Sequence, residues 1–247
     1  MVKKTVFFLL FAVLSTQVAS QPPTELPKQI GPPSDPVWVS ASLAVVDGRL
    51  QPDYFNDSQF EWLSAALANA ASRIKKDGPQ DCAWQLKRRI DSYPAPPDSL
   101  RKLVVSAKTN ALAVVEEVDS GFWLGHPSTL LRLGISETTG PGGPTTGSVL
   151  VVLLQGNVET KDGRLCGNFS NRPMPEVGDR IRILSIGKDK WSEKEPSLLF
   201  PDEYFFVGPK ASVPPARYAQ ELGTEPEAYL NSLLEEADLL RSQGRLP

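Results

Sequence analysis

The chain has 247 residues, 40% hydrophobic and 22% charged, with 26 Lys or Arg against 29 Asp or Glu and a formal net charge of −3. That length exceeds a typical domain of about 100–150 residues, so one globular domain with additions is expected. The mild acidity disfavours a dedicated nucleic-acid binder, which presents a basic face.

Met1 to Ser20 carries Lys3 and Lys4, then an apolar run from Val6 to Leu14, then Ser15-Thr16-Gln17-Val18-Ala19-Ser20. A positive start, a short apolar stretch and small residues at Val18 and Ser20 are the grammar of a cleavable secretory signal. The apolar run is shorter than the roughly 20 residues that span a bilayer. No cysteine follows it, so a lipoprotein anchor is not expected. Cleavage after Ser20 removes two lysines and no acid, leaving a net charge of −5 and Gln21-Pro22-Pro23 as the start. The protein is therefore expected to be exported, periplasmic or secreted, with no membrane anchor after cleavage. In an oxidising compartment its two cysteines, Cys82 and Cys166, are expected to pair, the alternative being two buried thiols. Neither a metal site nor a cofactor is expected, since the cysteines and the single His126 have no ligand spacing.

Residues 21–36 read as a Pro-rich flexible leader with no means of burying a core. Residues 37–97 form an N-terminal helical segment. Its start, Pro36 to Leu43, is apolar enough to dock as an extended strand. A helix is predicted from Asp57 to Lys76, capped by Asp57 or Ser58 and stopped by Asp77-Gly78-Pro79. Phe60, Leu63, Leu67, Ala70, Ala71 and Ile74 give it one apolar face. Trp84 to Ile90 is expected to be a shorter helix, broken by Pro94-Ala95-Pro96-Pro97.

Residues 98–209 are expected to be a β domain, entered through a short capped helix at 97–107. The hydrophobic period then changes to two, giving strands near 111–119, 129–137, 148–154, 179–186 and 204–207. Asp162-Gly163 signals a hairpin, and Glu176-Val177-Gly178-Asp179 a turn. Such spacing suits an α+β protein with a small, five- to six-stranded antiparallel barrel of the oligonucleotide/oligosaccharide-binding (OB) type, flanked by N-terminal helices and a C-terminal helix. A β-sandwich is the alternative. Residues 210–247 are a linker and that last helix, with a capping box at Thr224-Glu225-Pro226-Glu227 and a stripe of Tyr229, Leu233, Ala237 and Leu240 facing the barrel.

Ser99-Leu100 with Leu103-Val104, Gly121-Phe122, Pro127-Ser128-Thr129-Leu130, Gly163-Arg164-Leu165-Cys166 and Val177-Gly178-Asp179 form a familiar series. Over about residues 97–207 the chain resembles a widespread group of uncharacterised bacterial exported proteins. The resemblance implies one small barrel in an envelope-facing protein and brings no known activity. The chain departs from that group at Glu137-Thr138-Thr139-Gly140, where a basic-Gly pair is frequent.

Binding is expected to involve the connection Gly121–Ser128, where Phe122 and Trp123 could stack on bases or sugars and His126 lies close by; alternatively the aromatics fold inward. Arg180 and Arg182 share a strand face and form a candidate binding stripe, with a solvated face as the plain alternative. A Ser-His-Asp site would have to use His126, with Ser128 nearby, but no G-x-S-x-G motif surrounds them. Glu116, Glu117 and Asp119 cluster on one strand, where alternation puts Glu117 and Asp119 on one face and Glu116 on the other. No catalytic residues are assigned. The expectation is a non-enzymatic binding or structural module of the cell envelope with a protein or glycan partner and an open oligomeric state. The alternatives are a partner-docking protein acting through its helices and an envelope hydrolase.

Overall fold

A computed structural model describes residues 25–33, 36–77, 84–86, 97–139, 147–167, 173–186 and 198–246. In chain order, the N-terminal part contains β1 (Gln29–Ile30), β2 (Trp38–Ser40), α1 (Ala41–Ala44), β3 (Val45–Val46), β4 (Arg49–Leu50), α2 (Asp57–Asp77) and β5 (Trp84–Leu86). After α3 (Leu100–Ser106) come β6 (Thr109–Trp123), β7 (His126–Thr139), β8 (Gly147–Leu153), β9 (Gly156–Thr160) and β10 (Gly163–Gly167). Then follow β11 (Arg180–Ser185), β12 (Leu198–Leu199), β13 (Glu203–Val207), α4 (Ala219–Leu222) and α5 (Pro226–Ser242).

The long hairpin β6–β7 organises everything else. Its alternating apolar residues keep one side in the core, and its turn is only Leu124-Gly125, with φ of 48° and 78°. Two successive positive φ angles give a primed turn, whose twist matches the strands it joins. Both strands therefore run to the turn, ending in the pair Trp123↔His126. The expected loop at 121–128 is mostly strand.

The first half of β6 pairs antiparallel with β11, which pairs antiparallel with β13. On the other side β7 pairs with β8, and β8 pairs parallel with β12. The protein is thus α+β, with a mixed, mostly antiparallel sheet. Its ladder does not run round a closed ring, because it breaks between β12 and β13 at Phe200–Asp202; a continuous barrel was expected from the strand spacing. One face of these strands shares a buried cluster that includes Ala113, Leu133, Val151, Ile183, Leu199 and Phe206.

Two corrections concern the N-terminal part. Residues 25–30 of the supposedly free leader are docked: Leu26 is buried, and β1 pairs with β2, which in turn pairs with the end of β6. Residues 84–86 are not helical but add a strand parallel to β10, because the ladder offered by β10 outweighs a weak local preference. Residues 87–90 lie outside the described region.

Helix α2 begins one residue earlier than its expected caps. Asn56 Oδ1 accepts from the Gln59 N–H at 3.0 Å, and Gln59 Oε1 accepts from the Asn56 N–H at 3.2 Å. This reciprocal pair satisfies two N-terminal donors. Leu63, Ala66 and Leu67 are buried on its inner face. Segment 36–43 is extended only at β2 and then turns into α1.

Helix α5 packs on the outside of β11 and β13, joining Leu184 and Phe205 in a cluster with α3 and α4. Its buried stripe is Leu230, Leu233, Leu234 and Ala237, rotated from the expected one, so Tyr229 is 38% exposed. The expected Thr224 capping box does not form: the N-cap is Glu225, and Glu227 instead accepts from the Gly208 N–H at 3.2 Å.

Candidate ligand face

On β6, strict alternation separates Glu116 from Glu117, but the strand is bulged between Val115 and Glu117, which face Leu133 and Arg132 on β7. A bulge places two residues opposite one and resets the alternation. Glu117 Oε1 lies 3.5 Å from Arg132 Nε. Glu116 reaches across Gly134, where a β-carbon would stand 2.3 Å from its Oε1, and its Oε2 accepts from Ser148 Oγ at 2.8 Å. Arg132 and Gly134 are two apart on one strand and share a face, so both glutamates lie on that face. Asp119 Oδ1 accepts from Ser40 Oγ at 3.1 Å.

Beside these charges the same side of the sheet carries an apolar layer. Trp38, Trp123, Leu130, Val152, Leu198 and Phe200 form one buried cluster, and Leu26 completes it. The Glu117 carboxylate ties this layer to the leader, since its Oε2 accepts from the Leu26 backbone N–H at 2.8 Å. Backbone bonds from Ser40 N to Lys28 O at 2.8 Å and Val37 N to Ile30 O at 2.9 Å hold the rest of the segment.

Leu26 is the one fully buried side chain of residues 25–30. Besides that side chain the strap is held by the Glu117 hydrogen bond and a two-residue ladder, few contacts for six ordered residues beside those of the β6–β7 core.

The aromatic residues singled out in the sequence lie inside. Phe122 is 1% exposed and meets Phe55 edge-on at 5.1 Å, while Trp123, 2% exposed, meets Phe200 at 4.8 Å. His126 is buried at 1% exposure. Ser128 Oγ donates to the His126 carbonyl at 3.0 Å. The two-residue turn explains the difference from expectation: Leu-Gly lacks the Asn-Gly or Asp-Gly signature that announces a tight hairpin, so the strands look shorter in sequence than they are.

Arg180 and Arg182 do share a face, but only Arg180 is exposed. Arg182 Nη1 donates to Asn110 Oδ1 at 2.9 Å, and its Nη2 lies 3.9 Å from Glu137. Burial pushes the guanidinium below arginine's ordinary pKa, against the opposing pull of Glu137 and the more distant Asp238 and Glu227. It lines a crevice of about 10 Å³ with Phe205, Val213, Pro214, Glu227 and Leu230, room for about one water. With Glu137 and Glu227 around it, the arginine is already answered by carboxylates, and its place is structural. Removing one member of such a pair leaves its partners unanswered: Arg182→Met strips the buried Asn110 Oδ1 of its donor, while the half-exposed Glu137 stays solvated. Arg182→Met is therefore expected to lower the melting temperature by a few degrees by calorimetry. An unchanged melting temperature would show that water replaces the guanidinium at Asn110.

Cys166 is buried in β10, while Cys82 lies outside the described residues, as do the basic positions 87–89, 188 and 190. Among the described residues no group of three or more His, Cys, Asp or Glu side chains is arranged to hold a metal ion. Among the same residues no helix is long and apolar enough to cross a membrane. The outer side of β6–β8, with its charges and apolar layer, is the face best equipped for contact. Compared with known proteins, the chain matches no family model, no curated protein and no solved structure.

Proposed function

We infer that this protein is an exported, non-enzymatic binding module of the cell envelope, built on an OB-like barrel. The observation that carries this reading is the strand arrangement together with the outer face it presents. If β12 and β13 are two halves of one strand broken at Phe200–Asp202, the pairs β6–β7, β7–β8, β8–β12, β13–β11 and β11–β6 go once round a five-stranded barrel. In barrels of that type the face of the second and third strands contacts ligands. Here those strands are β7 and β8, whose outer side carries Arg132 and Ser148 with Glu116 and Glu117 beside them. The signal-like start and the resemblance to bacterial exported proteins support an envelope address. The partner is a protein or a glycan, since the net charge of −3 does not suit a nucleic acid.

The test is capture from an envelope extract of the source organism by the chain from residue 21 and by its Glu116→Lys/Ser148→Lys variant. Both substitutions are at exposed positions. A protein or glycan retained by the parent and lost by the variant is expected. Equal capture would move the site elsewhere, and turnover of an envelope substrate would replace the reading with the hydrolase one. The helix-docking alternative is less favoured, because the apolar stripe of α5 is buried against its own sheet.

The same address underlies a proposed Cys82–Cys166 disulfide. The exported protein is expected to show no titratable thiol in denaturant until a reductant is added, and then two. Two thiols without reductant would remove the bridge.

A further inference from the structure

We propose that the outer side of β6–β8 is a peptide-binding groove, occupied in cis by the chain's own residues 25–30. It would admit a partner segment that is extended and carries a leucine-sized residue in the register of Leu26. The inference rests on the binding reading above and names the kind of partner. Three features define the recognition. An apolar seat formed with Trp38, Leu130, Val152 and Phe200 takes one side chain, here Leu26, which is 6% exposed. The Glu117 carboxylate, positioned by Arg132, accepts the backbone N–H of that same residue at 2.8 Å. The edge of β2 supplies a short antiparallel ladder, Gln29↔Val39 and Ile30↔Trp38. Main-chain bonds for affinity and one side-chain seat for register are the elements of strand addition to a sheet edge.

The strap is suited to exchange. Its ladder is two residues long, one of its side chains is buried, and the entropy of ordering its backbone opposes these few contacts. A covalently attached segment nevertheless competes at a high effective concentration. The groove of the intact protein is therefore mostly self-filled, and a partner must outcompete Leu26.

The experiment uses the chain from residue 21, its Leu26→Asp variant, and a synthetic peptide of residues 24–31, with binding read from the tryptophan fluorescence. An aspartate in the apolar seat beside Glu117 releases the strap. The variant is expected to bind the peptide saturably and at least about tenfold more tightly than the parent, which has its own strap in place. A peptide with the leucine changed to aspartate should not bind, and Glu117→Gln in the Leu26→Asp background should weaken binding severalfold. Absence of binding by a folded Leu26→Asp variant, or equal binding by variant and parent, would overturn the proposal. If Leu26→Asp fails to fold, hydrogen exchange of the parent decides: the amides of Leu26, Lys28, Gln29 and Ile30 should exchange at least about a thousandfold faster than those of β6 and β7, and equal protection would refute a releasable strap. Envelope capture through Glu116 and Ser148 does not depend on this outcome, so failure of the groove leaves the binding reading separately testable.

Discussion

Gly167→Ala is expected to lower the melting temperature by about 6–12 °C, since position 167 is the tightest placement for an added methyl among the described glycines. The hairpin β9–β10 lies across the start of β7, and it does so at its two terminal glycines, Gly156 and Gly167, which are paired with each other. A β-carbon at Gly167 would stand 1.9 Å from the Pro127 carbonyl oxygen and 2.6 Å from the His126 ring; one at Gly156 would stand 2.4 Å from the Ser128 backbone. Backbone atoms in a central strand cannot step aside, so the hairpin must lift. Lifting withdraws Val158 and Leu165 from the cluster they share with Phe122, Phe55 and Leu63. Overpacking of this kind costs about 3 kcal/mol, and a protein of this size loses about 2–4 °C per kcal/mol. Gly178→Ala is the control: φ there is +90°, but nothing lies within 4 Å, so only local backbone strain is added. If both variants melt together, the close crossing is not what limits position 167.

Trp38→Ala should be comparably costly. Trp38 has no exposed surface and stands between the strap, the end of β6 and the apolar layer. Removing a buried tryptophan costs about 3–5 kcal/mol, because the neighbours close only part of the cavity. Trp38 Nε1 has no hydrogen-bond partner among the described residues. Trp38→Phe, which removes that buried donor and keeps a ring, is therefore expected to lose less than half as much. Urea unfolding of the two variants checks both expectations. A phenylalanine as damaging as alanine would show that the indole fits a shape no smaller ring can fill.

The elements themselves were written in local chemistry. The change of period at Ala111 located the β region, the Pro and Gly punctuation separated its strands, and the apolar spacing after Asp57 and after Glu225 announced two helices. These signals need only near neighbours: side-chain alternation, caps, and residues that tolerate or forbid a given φ. The outward packing of Arg180 and Arg182 on one face followed from the same alternation.

The placement of the candidate face was decided by the tertiary structure. The bulge at Glu116 depends on how β6 is paired, and it moved a carboxylate across the sheet. The sequence left Phe122 and Trp123 open between ligand stacking and inward folding, and the two-residue turn of the hairpin carries them into the core. No local pattern marks Gly156 and Gly167, since the backbone that approaches them belongs to a segment about thirty to forty positions away. The leader's docking rests on one leucine and one carboxylate separated by 91 positions. The sequence by itself determined which stretches become strand or helix, because those preferences are set by short-range sterics and periodicity. Which faces are covered, which charges meet and where a groove lies were decided only by chain segments distant in sequence, through contacts that no local pattern encodes.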